Sequence, residues 1–75
     1  MLNPVVCELS PAELRQDLEA TGYTQVKVTT LRGKQGSLTS VRARWPVDGR
    51  WHSAQSYACA EIAVELKALA YRATN

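Results

Sequence analysis

Apolar residues recur along this chain at two different periods. Over residues 24–31, TQVKVTTL, Val26, Val28 and Thr30 fall on one side and Gln25, Lys27 and Thr29 on the other. A period of two marks a strand with one buried face. Residues 37–45, SLTSVRARW, repeat the pattern, with Val41, Ala43 and Trp45 against Ser40, Arg42 and Arg44. Between them, RGKQG at 32–36 reads as a basic loop with two glycines. Toward the C-terminus the spacing widens to three and four. Cys59, Ile62, Ala63, Leu66, Leu69 and Ala70 form a helical stripe, and Tyr57, Ala60, Val64, Ala68 and Tyr71 form a weaker second one. The pattern predicts a helix from Ser53 or Ser56 to Arg72, with its main stripe packed on the sheet.

The N-terminal part predicts a second, shorter helix over residues 11–21. Ser10 is a good N-cap, Pro11 suits the first helical position, and Glu13 completes a Ser-x-x-Glu capping box. Leu9 and Leu14 sit where a hydrophobic staple needs them. Gly22 supplies a left-handed ending, after which Tyr23 folds back on Leu18. Residues 4–9, PVVCEL, are an apolar lead-in that suits a short strand.

The turn WPVDGRW at 45–51 decides which side chains share a face. A two-residue Asp48-Gly49 turn would pair Val47 with Arg50, set His52 beside Trp45 and throw Trp51 to the opposite face. A three-residue loop with Gly49 as a left-handed bulge would instead group Trp45 with Trp51, and Arg44 with Arg50 and His52. The second register is expected, because it buries both indoles and each is worth about 2–3 kcal/mol. The order is then α-β-β-β-α: an α+β domain, with a three-stranded antiparallel meander and both helices on one face. The open face would carry Lys27, Arg42, Arg44, Arg50 and His52.

Size and charge sharpen this picture. The 75 residues make one domain, 1–75, with a modest core. Net charge is only +2, but it is segregated. Residues 1–22 carry Glu8, Glu13, Asp17 and Glu19 against Arg15, whereas 23–53 carry Lys27, Arg32, Lys34, Arg42, Arg44 and Arg50 against Asp48. One surface should therefore be basic and another acidic. No stretch approaches the roughly 20 apolar residues of a membrane span, and the N-terminus lacks a signal peptide's basic and apolar regions. A cytoplasmic protein is expected. Cys7 and Cys59 are read as small core hydrophobes rather than as a disulfide framework.

Catalytic and cofactor chemistry finds little support. His52 is the lone histidine, and a general base needs an orienting carboxylate and a pocket. His52, Cys7 and Cys59 lack the spacing of zinc ligands, and RGKQG lacks the lysine position of a phosphate-binding loop. No enzyme activity and no cofactor are expected.

The helix-strand-strand-strand-helix order over residues 10–72 resembles the double-stranded-RNA-binding domain. The resemblance implies contacts from the first helix, from the loop between the first two strands and from a basic start of the second helix. Here the first helix is acidic, and Ala54-Gln55-Ser56-Tyr57-Ala58-Cys59-Ala60 contains no lysine or arginine. Only the loop Arg32-Gly33-Lys34-Gln35-Gly36 keeps the chemistry. In its size and composition the chain also resembles phage and mobile-element accessory proteins, anti-CRISPR inhibitors among them. That resemblance implies binding to a host protein complex. The expected partner is an acidic protein surface, met by Lys27, Arg32, Lys34, Arg42, Arg44, Arg50 and His52, with Tyr57 and Tyr71 adding apolar contact. The alternative is nucleic acid on the same basic face and loop, and a homodimer is the third reading.

Overall fold

The computed structural model of the chain describes residues 9–75. Its elements are α1 (Pro11–Thr21), β1 (Thr24–Gly33), β2 (Gly36–Trp45), β3 (Arg50–Ser56) and α2 (Cys59–Thr74). The strands form one antiparallel sheet in the order β1-β2-β3. This is the predicted α+β class and element order. Apart from Leu9, the lead-in at 4–9 lies outside the described residues, as does Cys7.

Both ends of α1 follow from local chemistry. The Glu13 N–H donates to Ser10 Oγ at 3.1 Å, and the Ser10 N–H donates to Glu13 Oε1 at 2.9 Å. At the other end Gly22 turns to φ +126°, and the Tyr23 N–H reaches back to Leu18 O at 3.1 Å. Only glycine suits this point twice over. The φ is left-handed, and a Cβ here would stand 3.1 Å from Trp45 Cζ3.

A bulge follows in β1. Thr24 faces Arg44 and Lys27 faces Arg42, so Gln25 and Val26 together oppose the single residue Ala43. Gln25 takes up the extra length at φ +52°. The bulge lets Tyr23 and Val26, three residues apart, both point into the core.

Two boundaries differ from expectation. Strands β1 and β2 run on to Gly33 and Gly36, so the five-residue loop shrinks to a turn at Lys34-Gln35. Helix α2 starts at Cys59, because residues 50–56 pair with β2 along their whole length. Ser56 then tethers the helix start: its Oγ accepts from the Ala58 N–H at 3.1 Å and donates to Glu61 Oε1 at 2.6 Å.

Both helices cover one face of the sheet, α1 over β1 and α2 over β3 and β2, and they touch each other. Leu14, Leu18, Val41, Ile62 and Leu66 are fully buried between the layers. Polar contacts fasten the layers at their margins. The Arg15 guanidinium donates to Val26 O, and Lys67 Nζ meets Asp17 Oδ2 at 2.8 Å.

The β2–β3 register overturns the expected one. The loop has four residues, Pro46 to Gly49, closed by the Gly49 N–H on Trp45 O at 2.8 Å. Trp45 therefore faces Arg50, Arg44 faces Trp51, and Ala43 faces His52. Opposed residues point to the same side of a sheet, and alternate residues to opposite sides. His52 and the Arg50 position belong to the helix-covered side, whereas Trp51 belongs to the open side. The four-residue loop has the parity of the rejected two-residue turn. The expected face was wrong for three residues: Trp51, His52 and Arg50.

Candidate functional site

The open face of the sheet gathers three cations around one indole. Trp51 stands opposite Arg44 and diagonal to Arg42, and Lys27 stands opposite Arg42 on the next strand. The Arg42 guanidinium carbon lies 4.9 Å from the Trp51 ring centroid, that of Arg44 at 5.4 Å and Lys27 Nζ at 5.6 Å. These are cation–π distances. The indole is half-buried under these side chains, on the outer strand β3. Along the same face follow Thr29, Ser40, Ser53 and Gln55, then the pair Leu31 and Leu38, of which Leu31 is 63% exposed.

Lys27, Arg42 and Arg44 are the predicted residues that this site brings together; Trp51 is the one that sequence reasoning missed. The remaining predicted positions disperse. Arg32 and Lys34 lie at the distal hairpin, and Arg50 is exposed at the opposite end of the sheet. Tyr57 follows β3 and Tyr71 lies on α2; they are 56% and 72% exposed. Among the described residues the second α2 stripe is left largely uncovered, with Val64 69% exposed.

His52 has a different place from the one expected. It is 9% exposed and bonded at both ring nitrogens. Nε2 lies 3.0 Å from Asp48 Oδ2, and Nδ1 lies 2.7 Å from the Tyr23 hydroxyl, which donates to Leu66 O at 2.6 Å. The Tyr23 hydroxyl has one proton. Given to Leu66 O, it leaves Nδ1 to donate to the Tyr23 oxygen, while Nε2–H donates to the Asp48 carboxylate. A doubly protonated ring satisfies all three contacts at once. A neutral ring with its proton on Nε2 requires Tyr23 to turn its own proton to Nδ1.

Trp45 completes this group, 4.8 Å from Tyr23 and 6.4 Å from His52 between ring centroids. The Asp48 carboxyl is held below the ordinary carboxylate range, first by the Arg50 N–H at 2.9 Å, with His52 adding and partial burial opposing. Burial, and then the Asp48 charge, push the Tyr23 hydroxyl up to about 12. An orienting carboxylate is thus present after all, but the imidazole spends both nitrogens inside the fold. It ties β3 and its loop to Tyr23 in the connection between α1 and β1, and through Tyr23 to α2.

Cys59 is half-buried with its thiol 3.8 Å from Thr39 Oγ1. Among the described residues, no three His, Cys, Asp or Glu side chains gather where they could hold a metal ion, and no helix is long and apolar enough to cross a membrane. An apolar groove of about 440 Å³ opens between the C-terminal ends of the helices, lined by Trp45, Ala70 and Tyr71, with Lys67 at its side.

No protein-family model, no curated protein and no solved structure matches the chain.

Proposed function

We propose that this chain is a small non-catalytic domain that binds nucleic acid on the open face of its sheet. One observation carries the reading: Lys27, Arg42 and Arg44 converge on Trp51, and no carboxylate among the described residues bridges any of them. Holding three like charges several ångströms apart costs about 1 kcal/mol per pair at the solvent limit. The face of the indole offsets part of that cost. A phosphate group offsets the rest, so the cluster is a preformed anion site. An inward Trp51 would favour a protein partner for a merely basic face. An outward Trp51 moves the balance to nucleic acid, where aromatic and cationic groups act together.

The test is a salt titration of binding to mixed-sequence RNA and DNA, read by fluorescence anisotropy of the labelled strand. Binding is expected at low salt, with log K falling against log salt at a slope of about −2 to −3 for three neutralised phosphates. Absence of binding to either at low salt overturns the reading.

A second reading gives the same face to an acidic protein surface, in an accessory or inhibitor protein of the phage and mobile-element type, with anti-CRISPR inhibitors as the nearest example. The exposed Tyr57 and Tyr71 favour it, as does the prominence of tryptophan and arginine among residues that dominate protein interfaces. A pull-down from the host with nuclease treatment separates the two. A partner retained after nuclease supports the protein, and one lost with it supports nucleic acid. Both readings suppose a cytoplasmic protein.

A further inference from the structure

Resting on the nucleic-acid reading above, we infer that the ligand is an unpaired strand, with one base stacked at Trp51 and adjacent phosphates on Lys27, Arg42 and Arg44. A duplex offers phosphates and base edges, but its base faces are already stacked on one another. An indole in the floor of a basic face therefore adds nothing to duplex binding. An unpaired strand offers a free base face, which an indole or a guanidinium plane can cover.

Three features of the fold agree. Both helices lie on the other side of the sheet, so neither of them stands between a splayed strand and the open face. Trp51 sits on the outer strand β3, and the long side chains of Arg42, Arg44 and Lys27 that cover its ring would turn onto phosphates as a base takes their place. Beyond the cation cluster, Thr29, Ser40, Ser53 and Gln55 present hydroxyl and amide groups on the same face, suited to base edges.

The elements that would grip a duplex point the other way. Glu13, Asp17 and Glu19 make α1 repel phosphate, although Lys67 offsets Asp17. The α2 start is Ala58-Cys59-Ala60, with Glu61 next. The chain thus has the element order of a duplex binder, while its charge and its one outward indole lie on the opposite face.

The experiment compares three labelled probes of equal length: oligothymidylate, the same strand with abasic positions and so the same phosphates, and a duplex, whose second backbone gives it the higher charge density. Each is titrated with the intact protein and with Trp51→Ala and Trp51→Phe. The expected order is intact strand tightest, with abasic substitution weakening binding by about fivefold to a hundredfold. Trp51→Ala should bring the intact strand down to the abasic level and leave the abasic probe unchanged, while Trp51→Phe retains most of the difference. The abasic comparison uses the unaltered protein and is independent of how the variants fold. Equal affinity for intact and abasic strands, or duplex binding as tight as single-strand binding, overturns the inference and leaves nucleic-acid binding standing. Failure to bind any of the three overturns both.

Discussion

Arg44 stands directly opposite Trp51 across the β2–β3 ladder. That single pairing sorts the chemistry of the middle hairpin. It places the indole with the guanidiniums on the open face and sends His52, opposite Ala43, into the core. It depends on the parity of the loop between Trp45 and Arg50: an even number of loop residues gives this arrangement, and an odd number inverts it.

Replacing the two arginines tests that placement directly. Arg42→Glu together with Arg44→Glu should leave the fold intact, because both side chains lie on the open face. The loss is limited to cation–π contacts of about 0.5–1 kcal/mol each. Binding to nucleic acid should disappear. Circular dichroism melts and anisotropy titrations check the two halves, and an unfolded double variant would show that these side chains support the core.

Gly22→Ala should destabilise the protein by at least about 1 kcal/mol. The new residue must hold φ +126°, and its Cβ must push back Trp45 Cζ3 and Cη2 at 3.1 and 3.3 Å. Gly49→Ala, at φ +69° near the left-handed region and with nothing within 4 Å, should cost less. Denaturant melts of the two variants, compared side by side, measure the joint cost of φ +126° and the Trp45 contact over an ordinary left-handed position. Equal losses would mean that neither adds anything.

Alkaline pH should weaken the fold through Tyr23. Its hydroxyl titrates near 12 when folded, above the ordinary value near 10, so the folded state favours the neutral phenol. The stabilisation is whole below about pH 10 and is lost as pH rises toward about 12. Over that window it amounts to about 2–3 kcal/mol. Tyr23→Phe should remove this alkaline sensitivity. It should also cost about 1–3 kcal/mol at neutral pH, because the His52 and Leu66 contacts lose their partner. Thermal melts across the alkaline range, with tyrosinate absorbance followed in parallel, read both effects.

Acid should act through Asp48 in the opposite sense. Its folded carboxyl titrates below the ordinary 3.8, chiefly because the Arg50 N–H bonds it. The stabilisation is therefore present above that ordinary value and is lost as pH falls through the lower folded one. Asp48→Asn keeps an acceptor for the Arg50 N–H but removes the charge that faces His52. It should melt lower than the parent at neutral pH, with the gap closing as pH drops below about 4. A gap that stays constant through the acid range would show that the carboxylate charge contributes nothing.

Much of the fold is legible because its signals are local. The capping box of Ser10 and Glu13, the reversal at Gly22 and the alternation of β1 and β2 each depend on residues within a few positions of one another. The site is legible in part: Lys27, Arg42 and Arg44 follow from alternation alone. Trp51 is not, because burial energy argues for an inward indole. A local cue to the true register does exist. Asp48 lies two residues before Arg50 and four before His52, and one carboxylate bonds both.

By itself, then, the sequence determined the element order, the ends of the first helix and the basic character of the second strand, all of which follow from propensity, capping and a period of two. Tertiary structure decided the direction of β3. The inner layer accommodates one indole, Trp45, against Gly22 and Tyr23. The next inward position goes to a histidine that Tyr23 and Asp48 bond from both sides. One partner, Tyr23, comes from the connection between α1 and β1, so no rule confined to the hairpin could have weighed it against the burial of a second tryptophan.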